Sequence, residues 1–337
     1  MEQPKTMRAL VLRAPGAPLQ LEEVPCPEPG AGEVLVRVVA SPINPSDLAM
    51  LQGEYGLGWP YPLIPGLEGS GVVVQGGGGV MARFMVGRNV ALVGETQGLW
   101  AEYVVVPTGR VLPLPKDLPL GVGASCFVNP LTAMALVQEV LDAGEKSAVS
   151  TAAGGALGAM IRRRAAQKGV EIINIVRTEA QVEALKAEGA HHVLNETEAG
   201  FEAALAEACK ALRCRVAFDA VGGAMTYRLA EALRGGGKIL IYGGLSGEPT
   251  TLHPGTMIFK GLNVQGFWLS KRLERMAAPK VFLMMREVTK GLQEGFAQTR
   301  VARSVPLEEA ARAPSDYARD MSGGKILIST GAYPLGL

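Results

Sequence analysis

Residues 147–161, S-A-V-S-T-A-A-G-G-A-L-G-A-M-I, carry the clearest chemical signal in the chain. Ala153-x-Gly155-x-x-Gly158 follows a short apolar run and opens a helical one. Small residues there permit a tight turn and let the backbone approach a pyrophosphate. The last glycine lets helix and strand pack closely, and helix N–H groups meet the phosphate charge. This is the dinucleotide fingerprint with alanine in first place. Glycine turns are common, so the match takes its weight from the strand–turn–helix–strand order around it. Beyond it, at the end of the run E-I-I-N-I-V, stands Arg177, followed by Thr178. An acid there would bind a ribose 2′-hydroxyl, whereas a guanidinium suits a 2′-phosphate. The sequence therefore predicts NADPH rather than NADH. The bland alternative is a solvated arginine at a strand end.

Metal chemistry is not expected. The three histidines are His191, His192 and His253. The adjacent pair opens a short strand, where neighbours point to opposite faces. Cys26, Cys126, Cys209 and Cys214 are scattered, without zinc-ligand spacing or a C-x-x-C pair. Such cysteine usage fits a reduced, cytoplasmic chain.

Two kinds of sequence must position these groups. Residues 1–125 read as short β-branched runs cut by turns: MRALVLRA, GEVLVRVVA, GSGVVVQ, NVALVG and WAEYVVVP. From 126, uninterrupted apolar strands alternate with helical stretches, as in βαβ units on a parallel sheet. The tail after about 270 is too short for a domain of its own, and its strands are of the first kind. The expected organisation is a β-rich domain made of 1–125 and 270–337 around a nucleotide-binding domain, 126–269. Gly76 to Gly79 read as a loop rather than a ligand cradle.

Composition narrows the partners. The 337 residues suggest about two domains. Lys plus Arg number 33 against 32 Asp plus Glu, a balance with no field to draw a nucleic acid. At 48% hydrophobic and 19% charged, the chain has ample material for a packed core. The uncharged stretch from Leu118 to Gln138 contains Pro119, Pro130 and two glycines, and reads as buried structure rather than a membrane span. The N-terminus MEQPKTMRALVL lacks the features of a secretory signal.

A β-rich unit, a central nucleotide-binding unit and a C-terminal return resemble the medium-chain dehydrogenase/reductase superfamily over nearly the whole chain. Zinc-dependent members carry a cysteine in the first β-rich stretch, a G-H-E and a four-cysteine lobe. Here S-P-I-N-P-S-D stands at 41–47 and P-G-L-E-G at 65–69, with Leu67 in the histidine's place and no lobe. The chain thus resembles the zinc-independent quinone oxidoreductases and 2-enoyl thioester reductases. Four strings are similar to the mitochondrial-type trans-2-enoyl-CoA reductases: INPSDLAMLQGEYG at 43–56, VNPLTA at 128–133, YGGLSG at 242–247 and IFKGLNVQGFWLS at 258–270.

The resemblance implies an α/β fold, with a Rossmann-type doubly wound parallel sheet and a GroES-like catalytic domain. It also implies a cofactor cleft. Asn129 and Thr132 would lie near the nicotinamide; Gly154, Gly155, Ala156, Leu157 and Gly158 would hold the pyrophosphate; Arg177 would take the 2′-phosphate. Tyr242, Gly243, Gly244 and Leu245, with Phe267, Trp268 and Leu269, would bracket the cofactor, and Lys325 would stand near the return. Tyr55 matches the proton-donor position and Asn44 lies in the same motif. Core packing would explain Phe267 and Trp268 equally well, and a domain corner would explain Asn129-Pro130. The implied activity is NADPH-dependent reduction of a 2-enoyl thioester by a homodimer. The alternatives are an NADPH:quinone reductase and a non-catalytic NADPH-binding protein.

Overall fold

The computed structural model describes residues 4–56, 58–94 and 96–337. Strand β1 (Thr6–Val11) pairs antiparallel with β2 (Gln20–Pro25). The next five are β3 (Glu33–Pro42), β4 (Glu68–Gly76), β5 (Asn89–Val93), β6 (Tyr103–Pro107) and β7 (Val111–Pro113). β3 is the spine. One edge takes β4, and the other is shared by β6 along Glu33–Arg37. Val34, Val36 and Val38 point alternately inward to meet Val73, Val90, Leu92, Val104 and Val106, as period-two β-branched residues do on a half-buried sheet.

A doubly wound sheet follows. Its strands are β8 (Ser147–Ser150), β9 (Glu171–Val176), β10 (His192–Asn195), β11 (Val216–Asp219), β12 (Lys238–Ile241) and β13 (Asn263–Gly266). All are parallel, in the order β10-β9-β8-β11-β12-β13. Alternate residues serve opposite faces. Val149, Ile173, Ala217 and Ile239 pack with Leu205 and Leu229, while Ala148, Ile172, Phe218 and Leu240 pack with Leu136 and Met160. Burial on both faces is why these strands are nearly continuous apolar runs.

The chain then returns as β14 (Val301–Pro306) and β15 (Lys325–Ser329), which pair in parallel. β15 runs antiparallel to β3 at Ala40–Pro42, beyond the stretch taken by β6. Two compact units result: Met1–Val128 with Met285–Leu337, and Asn129–Met284. The second crossing lies later than residue 270, inside the continuous helix Ala278–Glu294. An unbroken helix offers no Gly or Pro signal from which sequence could place that crossing. No described helix is long and apolar enough to cross a membrane. The residues read as a loop at Gly76–Gly79 run from the end of β4 to the N-cap of a short helix, Val80–Met85.

Candidate active site

In the unit Asn129–Met284, the neighbours of β8 on its two sides are β9 and β11, so the winding direction reverses there. Such a switch point opens a crevice at the carboxyl ends of the strands. The turn after β8 carries the glycine fingerprint. Gly155 is the N-cap of helix Ala156–Gln167 and no side chain caps that end, so its first N–H groups remain available to an anion. A Cβ on Gly158 would stand 2.4 Å from the Ala153 carbonyl oxygen. Only glycine allows the helix to lie this close to the turn. Ala156 and Leu157 form its first two positions. The uncapped helix end and close-packed turn fit a dinucleotide pyrophosphate.

Arg177 follows β9 and is exposed, with its backbone N–H donating to Gln181 Oε1 (3.0 Å). Tyr242, Gly243, Gly244 and Leu245 follow β12, and the Leu245 N–H donates to the Ala220 carbonyl (3.0 Å). Tyr242 packs on the core beside β12, where burial raises its phenol above the usual range. Phe267 follows β13 and packs on the same core. Trp268 is the N-cap of the helix that Leu269 begins. Asn129 and Thr132 are buried in the first two turns of helix Val128–Asp142. The glycine turn, Arg177 and the segments 242–245 and 267–269 therefore all follow the carboxyl ends of strands in one parallel sheet.

Asp219 was not singled out by sequence, yet it fastens the switch point. Its carboxylate accepts from Thr151 Oγ1 (3.2 Å), Thr226 Oγ1 (2.6 Å) and the N–H groups of Val221 (2.9 Å) and Gly222 (3.1 Å). An acid ending the apolar run R-V-A-F-D was its only signal.

The β-rich unit holds a second constellation. Asn44 is the N-cap of helix Pro45–Leu51, and its backbone N–H donates to Asp47 Oδ2 (2.7 Å) in a capping box. Asp47 Oδ1 accepts from the Leu67 N–H (3.0 Å). Asn44 Nδ2 donates to Glu68 Oε1 (3.0 Å), and Glu68 Oε2 accepts from the N–H groups of Phe127 (3.0 Å) and Val128 (2.9 Å). The Lys325 ammonium donates to Asn44 Oδ1, the Ile43 carbonyl (3.1 Å) and the Tyr317 hydroxyl (3.3 Å). Burial pushes Asp47 up to about 7 and raises Glu68, and it lowers Lys325 to about 8.

Asn44 and Lys325 are each only 1% exposed. The Lys325 ammonium is thus surrounded by oxygens of its own unit, and a cofactor contact there would require that shell to open. Asp47 and Glu68 were missed as site residues, although both lie in the quoted strings NPSD and PGLEG. Tyr55 is half-buried in the loop after helix Pro45–Leu51 and packs with Trp59 on Leu12, Met50, Leu63 and Leu67. Among the described residues, no three His, Cys, Asp or Glu side chains are grouped to hold a metal.

Comparison with known proteins agrees with this architecture. Residues 30–116 match the alcohol dehydrogenase GroES-like domain, and residues 156–284 match the family described as zinc-binding dehydrogenase. The mitochondrial enoyl-[acyl-carrier-protein] reductase of Xenopus tropicalis is 32% identical over 334 residues, 95% of each chain. That of Caenorhabditis elegans is 34% identical over 275 residues, 78% of each. A solved structure from Mesorhizobium loti, assigned as an NADPH:quinone reductase, superposes with a TM-score of 0.91. It is 33% identical and covers 98% of this chain and 100% of its own. The chain belongs to the medium-chain dehydrogenase/reductase superfamily of oxidoreductases, in its zinc-independent branch.

Proposed function

We propose that this protein is an NADPH-dependent reductase that saturates the carbon–carbon double bond of a 2-enoyl thioester. The observation that carries the substrate choice is likeness over 95% of the chain to a reductase named for an enoyl group on acyl-carrier protein. The cofactor choice rests on Arg177 at the end of β9, together with the uncapped helix after the glycine turn.

Bound NADPH supplies the hydride from its nicotinamide C4. The protein's part is to bind, orient and protonate. Gly154 to Gly158 hold the pyrophosphate against the helix N-terminus, and Arg177 pairs with the 2′-phosphate. Asn129 and Thr132 serve the nicotinamide end, and residues 242–245 and 267–269 bracket the dinucleotide. Hydride addition at the β-carbon leaves enolate-like charge on the thioester, which hydroxyl and backbone N–H donors stabilise. The Tyr55 phenol then protonates the α-carbon and recovers its proton from water. Asn44 acts as a positioning residue, capping the helix that leads into the Tyr55 loop.

A quinone as hydride acceptor is the second reading, favoured by the likeness to the Mesorhizobium loti structure. NADPH deuterated at C4, incubated with crotonyl-CoA, distinguishes the two. The proposal expects butyryl-CoA with one deuterium on the β-carbon. Unreacted crotonyl-CoA beside rapid oxidation by 1,4-benzoquinone would favour the quinone. No oxidation by either would favour a non-catalytic NADPH-binding protein.

We further propose a homodimer joined along β13. This strand ends its sheet, and Ile258 (70% exposed) and Phe259 (89% exposed) lie on the helix just before it. An open strand edge beside exposed apolar side chains is a natural pairing surface. The four cysteines form no disulfide, which suits a reducing compartment such as the cytoplasm.

A further inference from the structure

The end of β10 places a carboxylate beside the cation assigned to the 2′-phosphate. Asn195 of β10 is in register with Val176 of β9, so the next residues, Glu196 and Arg177, are neighbours at the carboxyl ends of adjacent strands. One bond fixes this: the Glu196 N–H donates to the Val176 carbonyl (2.8 Å). The Thr197 hydroxyl, which donates to Asn195 Oδ1 (2.9 Å), lies 3.5 Å from the Arg177 carbonyl. The third strand end in the row carries the glycine turn, where the Ala153 N–H donates to the Ile175 carbonyl (3.0 Å). Glu196 is therefore two strand ends from the turn that holds the pyrophosphate, on the adenosine-ribose side.

Glu196 is also held in place. Arg228 donates through Nη2 to the Glu196 carbonyl oxygen (3.0 Å). The same guanidinium donates through Nε to Glu202 Oε1 (2.8 Å), and its Cζ lies 4.2 Å from the Phe201 ring centre. Burial raises the Glu196 carboxyl, with the positive charges of Arg228 and Arg177 opposing that rise. Arg177 thus has a carboxylate whose backbone is anchored on the neighbouring strand end, close enough for the two charges to influence each other. A carboxylate tolerates or accepts a ribose 2′-hydroxyl, but it repels a phosphate dianion and weakens the field of the cation beside it.

We propose that Glu196 is a specificity-determining residue that limits how strongly this site favours NADPH over NADH. The inference rests on the reading of Arg177 as the 2′-phosphate contact. Removing the charge while keeping the shape should sharpen the preference for the phosphorylated cofactor.

Calorimetric titration with 2′,5′-ADP and with 5′-AMP isolates the phosphate without any turnover. In Glu196→Gln, 2′,5′-ADP is expected to bind about three- to tenfold more tightly, and 5′-AMP to change less than about twofold. The gain should shrink in high salt. Glu196→Ser provides a second neutral variant should the glutamine fold poorly. Steady-state KM values for NADPH and NADH should move in the same directions. Unchanged 2′,5′-ADP affinity in both variants, or equal gains for both nucleotides, would overturn the proposal. The wild-type protein tests the underlying reading separately. If it binds 2′,5′-ADP no better than 5′-AMP, while Glu196→Gln binds it selectively, the Glu196 assignment stands and the NADPH preference of the native protein fails. If the wild type already prefers 2′,5′-ADP and Glu196→Gln changes nothing, the reverse holds.

Discussion

The ammonium of Lys325, on the returning strand β15, donates to the Oδ1 of Asn44, the residue that caps the helix leading to Tyr55. Residues 281 positions apart in sequence thereby share a bond in a buried setting. With the oxygen of the amide facing Lys325, its nitrogen faces Glu68. Lys325 fixes the amide's orientation and provides the positive charge facing two buried carboxylates.

Lys325→Met should remove that charge with little change in volume. Breaking a buried ionic group by deleting one partner costs about 3–5 kcal/mol, because the remaining charges stay buried. The expected outcome is a loss of this size in urea-induced unfolding of the variant. A loss below about 1 kcal/mol would mean that Asp47 and Glu68 do not depend on the ammonium.

Asp47 gives the cluster a pH signature. Its folded pKa of about 7 lies above the ordinary aspartate value of 3.8, so the folded protein holds this proton more tightly than the unfolded chain. The resulting stability is fully present below the unfolded value and is lost as pH rises through about 7. Asp47→Asn cannot titrate at this position. Wild-type stability relative to Asp47→Asn should therefore increase as pH falls from 8 to 5, by up to about 1.4 kcal/mol per pH unit. Denaturant midpoints measured across that range check the sign, and a difference independent of pH would contradict it.

For Arg177, loss of one charge-assisted phosphate contact should cost about 1.5–3 kcal/mol, or about ten- to a hundredfold in affinity. Arg177→Ala should raise the KM for NADPH by that factor and leave the KM for NADH nearly unchanged. Equal increases for both cofactors would remove Arg177 from the 2′-phosphate site.

Tyr55→Phe deletes a hydroxyl and keeps the ring against Leu12, Met50, Leu63 and Leu67. A tyrosine hydroxyl carries a proton that it can donate, and phenylalanine has none. General acid catalysis contributes about 10²–10⁴-fold. The kcat for an enoyl thioester should fall at least about a hundredfold with NADPH affinity unchanged, whereas benzoquinone reduction should hardly respond. Full retention of enoyl turnover would give the proton transfer to water or a ribose hydroxyl.

Much of the fold could be read locally. Strands β8, β9, β11 and β12 lie inside the sheet and are buried on both faces, and their apolar runs alternate with helices in sequence. The β-branched spacing of β3 to β6 was equally plain. β2 was not, because Gln20–Pro25 reads Q-L-E-E-V-P and lies largely exposed against β1 alone. The glycine turn at a helix start and the placement of Arg177 at a strand end could be read locally, because strand, turn and helix are consecutive in sequence. The Asn44, Asp47, Glu68 and Lys325 cluster was only half legible, since it is assembled from a helix cap, a strand start and a C-terminal return. No local pattern shows that Lys325 turns inward to Asn44. Glu196 was hidden for the same reason: its significance comes from the strand beside it.

The central claim is the choice of hydride acceptor, and the ratio of kcat/KM for crotonyl-CoA to that for 1,4-benzoquinone, with NADPH consumption as readout, tests it most directly. An enoyl thioester reductase is expected to favour crotonyl-CoA in this ratio and to lose that advantage in Tyr55→Phe. Efficient benzoquinone reduction with no measurable turnover of crotonyl-CoA, in wild type and Tyr55→Phe alike, would contradict the assignment.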